Sequence, residues 1–88
     1  ILIKMKMRNR QIEVKMPWLT PKEVEIQVVR WLVAPGDRVE IDQDILELTV
    51  DQEKFILPSP LDGVLLEVEV EPGDYLATDQ VLAIIKAD

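Results

Sequence analysis

The sequence predicts an all-β domain, a flattened β-barrel of two sheets related by quasi-twofold symmetry. Apolar and polar residues alternate with a period of two over several stretches, two Pro-Gly-Asp turns interrupt the alternation, and both turns belong to an internal repeat. Alternation of this kind marks strands with one buried face, and the inward sets are rich in β-branched residues. Proline sets φ and glycine accepts a positive φ, which is the chemistry of a type II turn.

Taken in chain order, residues 1–11 form an N-terminal extra strand or arm. Ile1, Ile3, Met5 and Met7 alternate with Leu2, Lys4, Lys6 and Arg8. Arg10 extends the basic character of this arm against an otherwise acidic body. The arm is expected to lie on the domain's own acidic face or to pair with another chain, the second case giving a homodimer. Residues 12–88 form the domain proper. Thr20-Pro21-Lys22 reads as a loop. Val24, Ile26 and Val28 then alternate with Glu23, Glu25 and Gln27 as a strand, followed by a weakly helical spacing from Val28 to Val33. Past Pro35-Gly36-Asp37, the residues Leu46, Leu48 and Val50 point inward, with Glu47 and Thr49 outward.

Strands 45–50 and 54–57 flank Asp51-Gln52-Glu53, a glycine-free hairpin turn of unassigned type. This tip is expected far from the connection that joins the two halves, exposed and able to present a group. That connection is Pro58-Ser59-Pro60 with Asp62-Gly63, which cannot sit in a central strand. Beyond it, Val64, Leu66, Val68 and Val70 are expected inward against Leu65, Glu67, Glu69 and Glu71. The outward Glu69 and Glu71 read as solvated surface.

The repeat has an offset of 37 residues: Ala34-Pro35-Gly36-Asp37 aligns with Glu71-Pro72-Gly73-Asp74, and Asp42-Gln43 with Asp79-Gln80. Val28, Val33, Ile45 and Leu48 align with Leu65, Val70, Leu82 and Ile85. A unit this short cannot close a core alone, so the halves are expected to pack face to face.

Composition narrows the function. The chain of 88 residues is one small domain, with enough apolar sequence for a single core. It holds neither cysteine nor histidine, which removes disulfides, thiol nucleophiles, the usual zinc ligands and the commonest general base. A net charge of −7 argues against nucleic acid and anionic membrane surfaces. No apolar run reaches the length of about 20 residues that spans a bilayer. The expectation is a non-enzymatic domain of the cytoplasm or an organelle matrix.

The chain resembles the lipoyl domains of the acyltransferase components of 2-oxoacid dehydrogenase complexes, within the wider lipoyl/biotinyl carrier family of barrel-sandwich folds. Five stretches carry the resemblance: Ile12-Glu13-Val14-Lys15-Met16-Pro17, Val28-Val29-Arg30-Trp31-Leu32-Val33 with Pro35-Gly36-Asp37, Pro58-Ser59-Pro60-Leu61-Asp62-Gly63-Val64, Glu71-Pro72-Gly73-Asp74, and Val81-Leu82-Ala83-Ile84-Ile85. In that family a lysine within an Asp-Lys-Ala triplet at the hairpin tip carries lipoate. The resemblance puts the family's aspartate on Asp51 and its lysine on Gln52, with Glu53 as the other hairpin neighbour. A carboxamide lacks the amine that an amide bond to lipoate requires. Residues 17–22, in the loop beside the hairpin, also depart from the family's glycine-rich acidic pattern.

Two other lysines are alternative attachment positions. Lys54 alternates with Gln52 along the strand, although a strand lysine that blunts an edge is the simpler reading. Met5-Lys6-Met7 resembles the biotinyl acceptor tripeptide but stands ahead of the barrel rather than in its hairpin. Trp31 is expected to pack at the barrel rim, and Trp18 is a candidate partner contact beside the hairpin loop.

The sequence therefore implies a non-catalytic lipoyl-like module without its attachment lysine. No cofactor or metal is expected, and protein partners are expected among 2-oxoacid dehydrogenase or related components. The alternative is a true swinging-arm carrier of lipoate or biotin, its lysine substituted here or displaced to Lys54 or Lys6. A cofactor-free adaptor of secretion or efflux assemblies ranks last, because its usual long helical hairpin is missing.

Overall fold

The computed structural model describes residues 5–8, 10–18 and 24–88. The loop expected at Thr20-Pro21-Lys22 lies outside the described residues, as do Ile1 to Lys4. Among the described residues eight strands form: β1 (Met5–Arg8), β2 (Gln11–Lys15), β3 (Ile26–Trp31), β4 (Arg38–Val39), β5 (Asp44–Val50), β6 (Glu53–Pro58), β7 (Gly63–Val68) and β8 (Val81–Ala87). They build a five-stranded sheet in the order β1-β2-β8-β7-β4 and a three-stranded sheet in the order β3-β5-β6. Every pairing is antiparallel. A single bridge from Gln27 to Tyr75 adds the counterpart of β4 to the free side of β3.

The expected quasi-twofold symmetry is present bond for bond. Asp37 N–H donates to Ala34 C=O at 3.0 Å, and Asp74 N–H to Glu71 C=O at 3.0 Å. Gly36 and Gly73 between them have φ of 96° and 94°, so both turns are type II. Each turn is tightened by its own aspartate: Asp37 Oδ2 accepts from Ala34 N–H and Asp74 Oδ2 from Glu71 N–H. The turns then reach across the molecule. Gly36 N–H donates to Leu65 C=O and Leu65 N–H returns to Asp37 C=O, while Gly73 N–H and Val28 N–H make the matching exchange with Val28 C=O and Asp74 C=O.

Between the sheets lies one core containing Val14, Met16, Val28, Ile45, Leu46, Leu48, Leu57, Leu65, Leu82 and Ile85, each no more than 2% exposed. Removing one such side chain from water contributes about 1.5–3 kcal/mol. Repeat partners Val28 and Leu65, and Leu48 and Ile85, are all in this core. Trp31 lies part-buried against it and donates its indole N–H to Val70 C=O at 2.9 Å, tying the two halves together.

Two sequence expectations need correction. In β7 the inward residue is Leu65, whereas Val64 and Leu66 are only half-buried. A β-bulge between Leu65 and Glu67 inserts one residue, and the inward set resumes at Val68 and Val70. Its repeat partner, the bulge between Val28 and Arg30, explains the weakly helical spacing: inward residues on either side of it stand three apart, at Val28 and Trp31. The hairpin turn is also shorter than expected. Val50 pairs with Glu53, leaving Asp51-Gln52 as a two-residue turn with φ of 51° and 68°. Positive φ at both central residues is the type I′ turn that suits the right-handed strand twist.

Gly63 is required by space and not by its own φ. A Cβ there would stand 2.1 Å from Lys86 O and 2.9 Å from Ile85 Cγ2, where β7 crosses closest to β8. Gly63→Ala is therefore expected to destabilise the domain by about 1–3 kcal/mol in urea denaturation. At the tip the sign reverses. Gln52 holds a left-handed conformation that glycine adopts without a Cβ clash, so Gln52→Gly is expected to stabilise by about 0.5–1 kcal/mol, seen as a raised thermal midpoint. A lowered midpoint would contradict the type I′ assignment.

Candidate functional site

The β5–β6 hairpin carries the candidate site. Its strands pair from Val50↔Glu53 at the tip down to Asp44↔Pro58. At about 3.3 Å per residue, that places the tip roughly 20 Å from the Pro58 end. The connection that joins the halves starts at Pro58, so the tip is remote from it, as expected. Asp88 N–H reaches Asp62 C=O in this connection, so the end of β8 shares that opposite pole.

Asp51, Gln52, Glu53 and Lys54 are all exposed. The tip is nevertheless anchored, since Asp51 N–H donates to Glu25 C=O at 2.9 Å, just before β3 begins. This single bond couples the turn to the end of the segment that enters β3. None of Asp51, Gln52 or Glu53 carries an amine.

Lys54 sits one residue down β6, opposite Thr49. Thr49 stands opposite Gln27, and Gln27 opposite Tyr75. Directly opposed residues share a face of a sheet, so Tyr75, Gln27, Thr49 and Lys54 form one row across the outer face of the three-stranded sheet. Gln27 Nε2 donates to Gly73 C=O at 3.2 Å, holding the middle of the row. Arg30 and Glu47 are ion-paired at 3.0 Å, and Glu47 lies opposite Ile56 in the adjacent row. Lys54 is thus a strand residue on a sheet face, not a residue of the turn.

Lys6 belongs to a different region. It lies on β1 opposite Glu13, on the outermost strand of the five-stranded sheet. Trp18 is 64% exposed and follows Met16, whose backbone bonds to Asp79 and Gln80 at the turn before β8. Among the described residues Glu25 bonds to the hairpin tip through its backbone carbonyl. Tyr75, 61% exposed, is a comparable surface aromatic that the sequence reading passed over. The repeat held the signal for it, because Tyr75 aligns with the outward Arg38.

The outward carboxylates Glu69 and Glu71 are exposed, as expected. Glu69 is drawn towards Glu67 rather than Glu71. A hydrogen bond with Glu67, helped by slight desolvation and by the charges of Glu67 and Glu13, raises the Glu69 carboxyl above its ordinary pKa. Among the described residues no group of three or more acidic side chains is arranged to hold a metal, and no helix is long and apolar enough to cross a membrane.

Known proteins match the chain from residue 12 onward. The biotin/lipoyl family model, described as "Biotin-requiring enzyme", covers residues 12–88. The dihydrolipoyllysine-residue acetyltransferase component of the pyruvate dehydrogenase complex from Corynebacterium glutamicum is 39% identical over 72 residues, which is 82% of this chain and 11% of that protein. Its counterpart from Pseudomonas aeruginosa is 41% identical over 59 residues, 66% of this chain and 11% of that protein. The dihydrolipoyllysine-residue succinyltransferase component of the 2-oxoglutarate dehydrogenase complex from Bartonella vinsonii subsp. berkhoffii is 31% identical over 75 residues, 85% of this chain and 18% of that protein. The chain spans less than a fifth of the length of these curated relatives. With its all-β fold and its coverage from residue 12 onward, this chain belongs to the biotin/lipoyl domain family.

Proposed function

We propose that this lipoyl-type domain serves without covalent cargo, as a structural or protein-interaction module related to the 2-oxoacid dehydrogenase acyltransferases. The observation that carries the reading is the tip: an ordered, exposed type I′ turn whose residues, Asp51 and Gln52, offer no amine. In this reading Gln52 stands at the family's attachment position. Joining lipoate or biotin to a protein forms an amide from a carboxylate and a nucleophilic amine. The carboxamide of Gln52 cannot act as that nucleophile, so the group does not fit this tip.

Lys54 does not replace it. Its stem rises from a strand paired across to Thr49, so an attached arm would start beside the sheet face and not at the apex. Lys6 lies on the other sheet. The domain itself is proposed to be non-catalytic, since a chain without histidine or cysteine has neither the commonest general base nor a thiol nucleophile. Its partners are proposed to be proteins of 2-oxoacid dehydrogenase or related assemblies, by analogy with the named relatives. Trp18, exposed on the surface, is the proposed contact for them.

The test is intact mass after co-expression with a lipoate ligase and a biotin ligase, both cofactors supplied. The native chain is expected to keep its unmodified mass. Gln52→Lys, which restores an amine at the apex, is expected to gain one lipoyl group. A native chain modified at Lys54 or Lys6 would overturn the reading and return the domain to the carriers.

A further inference from the structure

The internal symmetry exposes a mismatch between two strand edges. Strand β6 occupies in its sheet the place that β2 occupies in the other: Phe55 opposes Leu48 as Ile12 opposes Ile85, and Leu57 opposes Leu46 as Val14 opposes Ala83. Lys54 and Ile56 are therefore the counterparts of Gln11 and Glu13. The outer edge of β2 is covered, with Gln11 paired to Arg8 and Glu13 to Lys6 of β1. The outer edge of β6 has no strand partner among the described residues.

The hairpin register shows which groups that edge offers. In a two-residue hairpin the pair flanking the turn, Val50 and Glu53, exchanges hydrogen bonds, and bonded pairs then alternate. The N–H groups of Glu53, Phe55 and Leu57 thus serve β5. Those of Lys54 and Ile56 point away from it, and Pro58 has no N–H to point. The outward side chain at the centre is also apolar: Ile56 stands where β2 has Glu13. Exposed edges are ordinarily blunted by charge, and here the charge is confined to Glu53 and Lys54 at one end.

We propose that β6 pairs antiparallel with β6 of a second copy of this chain, about a twofold axis through Ile56. This register is self-complementary. Ile56 meets Ile56 of the second copy as a bonded pair exchanging both backbone bonds. Phe55 meets Leu57 on the inner face, and Lys54 meets Pro58, whose carbonyl accepts the Lys54 N–H. No like charges are opposed. Shifting the centre to Phe55 would put Glu53 against Leu57. Laying β1 of another copy on β6, as it lies on β2, would bring Arg8 against Lys54. Because Pro58 ends the pairing and the contact is isologous, it closes as a dimer rather than growing into a fibre. The product is a continuous six-stranded sheet, with the two hairpin tips held in fixed relation.

A six-residue strand contact falls at the small end of specific interfaces, so a concentration-dependent dimer is expected. The first experiment is size-exclusion with light scattering over a range of loading concentrations. The native chain should move from the mass of one chain towards two. Ile56→Pro removes an N–H that points away from β5 and has no strand partner among the described residues, so it should hold the mass at one chain with little change in thermal midpoint. The chain has no cysteine, which makes single-cysteine cross-linking clean. Bonded pairs across an antiparallel ladder stand about 5.5 Å apart at Cα, within disulfide range. Ile56→Cys should therefore form a cross-linked dimer under mild oxidation, and Lys54→Cys should not. A native chain that stays monomeric at every concentration would sink the proposal. So would preferential cross-linking at position 54, or a dimer that survives Ile56→Pro but disappears when residues 1–10 are removed; that last result would assign the dimer to the N-terminal arm. None of these outcomes depends on whether Gln52 marks a lost attachment site, which the mass measurement decides separately.

Discussion

Gly36 N–H reaches the carbonyl of Leu65, and Gly73 N–H reaches the carbonyl of Val28. In each case the turn of one half caps the first long strand of the other, and the strand's own N–H is returned to the aspartate carbonyl of that turn. Neither half can satisfy these groups internally. A buried backbone group left unpaired would cost about 1–3 kcal/mol, so the halves are obliged to fold together. The rest of the architecture follows from that reciprocity. It sets β3 and β7 across the core from one another, brings the bulged residues outward, and lets Val28 and Leu65 meet the same apolar interior.

The same exchange explains why the molecule has two unlike ends. Symmetry makes the Asp51-Gln52 turn the counterpart of the place where the end of β8 meets Arg10, through the Ala87 N–H to Arg10 C=O bond. One pole is a closed hairpin, and at the other the end of β8 meets Arg10. The proposed loss of cargo at Gln52 leaves this arrangement untouched. The tip remains anchored through Glu25, and the twofold-related turns remain intact. What such a domain retains is a rigid apex and two sheet faces, and those are resources for recognition rather than chemistry.

Symmetry is broken at the edges. The five-stranded sheet gains β1, so the basic N-terminal segment covers β2 and places Lys6 opposite Glu13. The three-stranded sheet gains no such cover among the described residues. A charged strand lies beside the edge that already carries Glu13, while the uncovered edge is centred on Ile56. Two halves that share one backbone plan have thus diverged most in the side chains that face outward from their edge strands, where core packing imposes no constraint.

Much of this was legible in the residues alone. Period-two alternation identified the strands, the paired Pro-Gly-Asp turns were type II as their chemistry requires, and the repeat predicted which residues share environments, because these are local properties or matches between local properties. The bulges were not legible. An inserted residue leaves every neighbour's identity unchanged and declares itself only when the partner strand counts one residue fewer, so Leu65 read as outward and Val28 to Val33 as faintly helical. The hairpin turn was seen as three residues because Asp51, Gln52 and Glu53 are all polar; pairing of Val50 with Glu53 decided that only two are free. Gly63 looked like a turn residue, and only the approach of β8 showed that a Cβ has no room there. The amine-free tip was written in the sequence. Which lysines lie on which sheet, that Glu25 bonds to the tip, and that β6 ends its sheet among the described residues could come only from the tertiary structure, because each depends on residues distant in the chain being brought side by side.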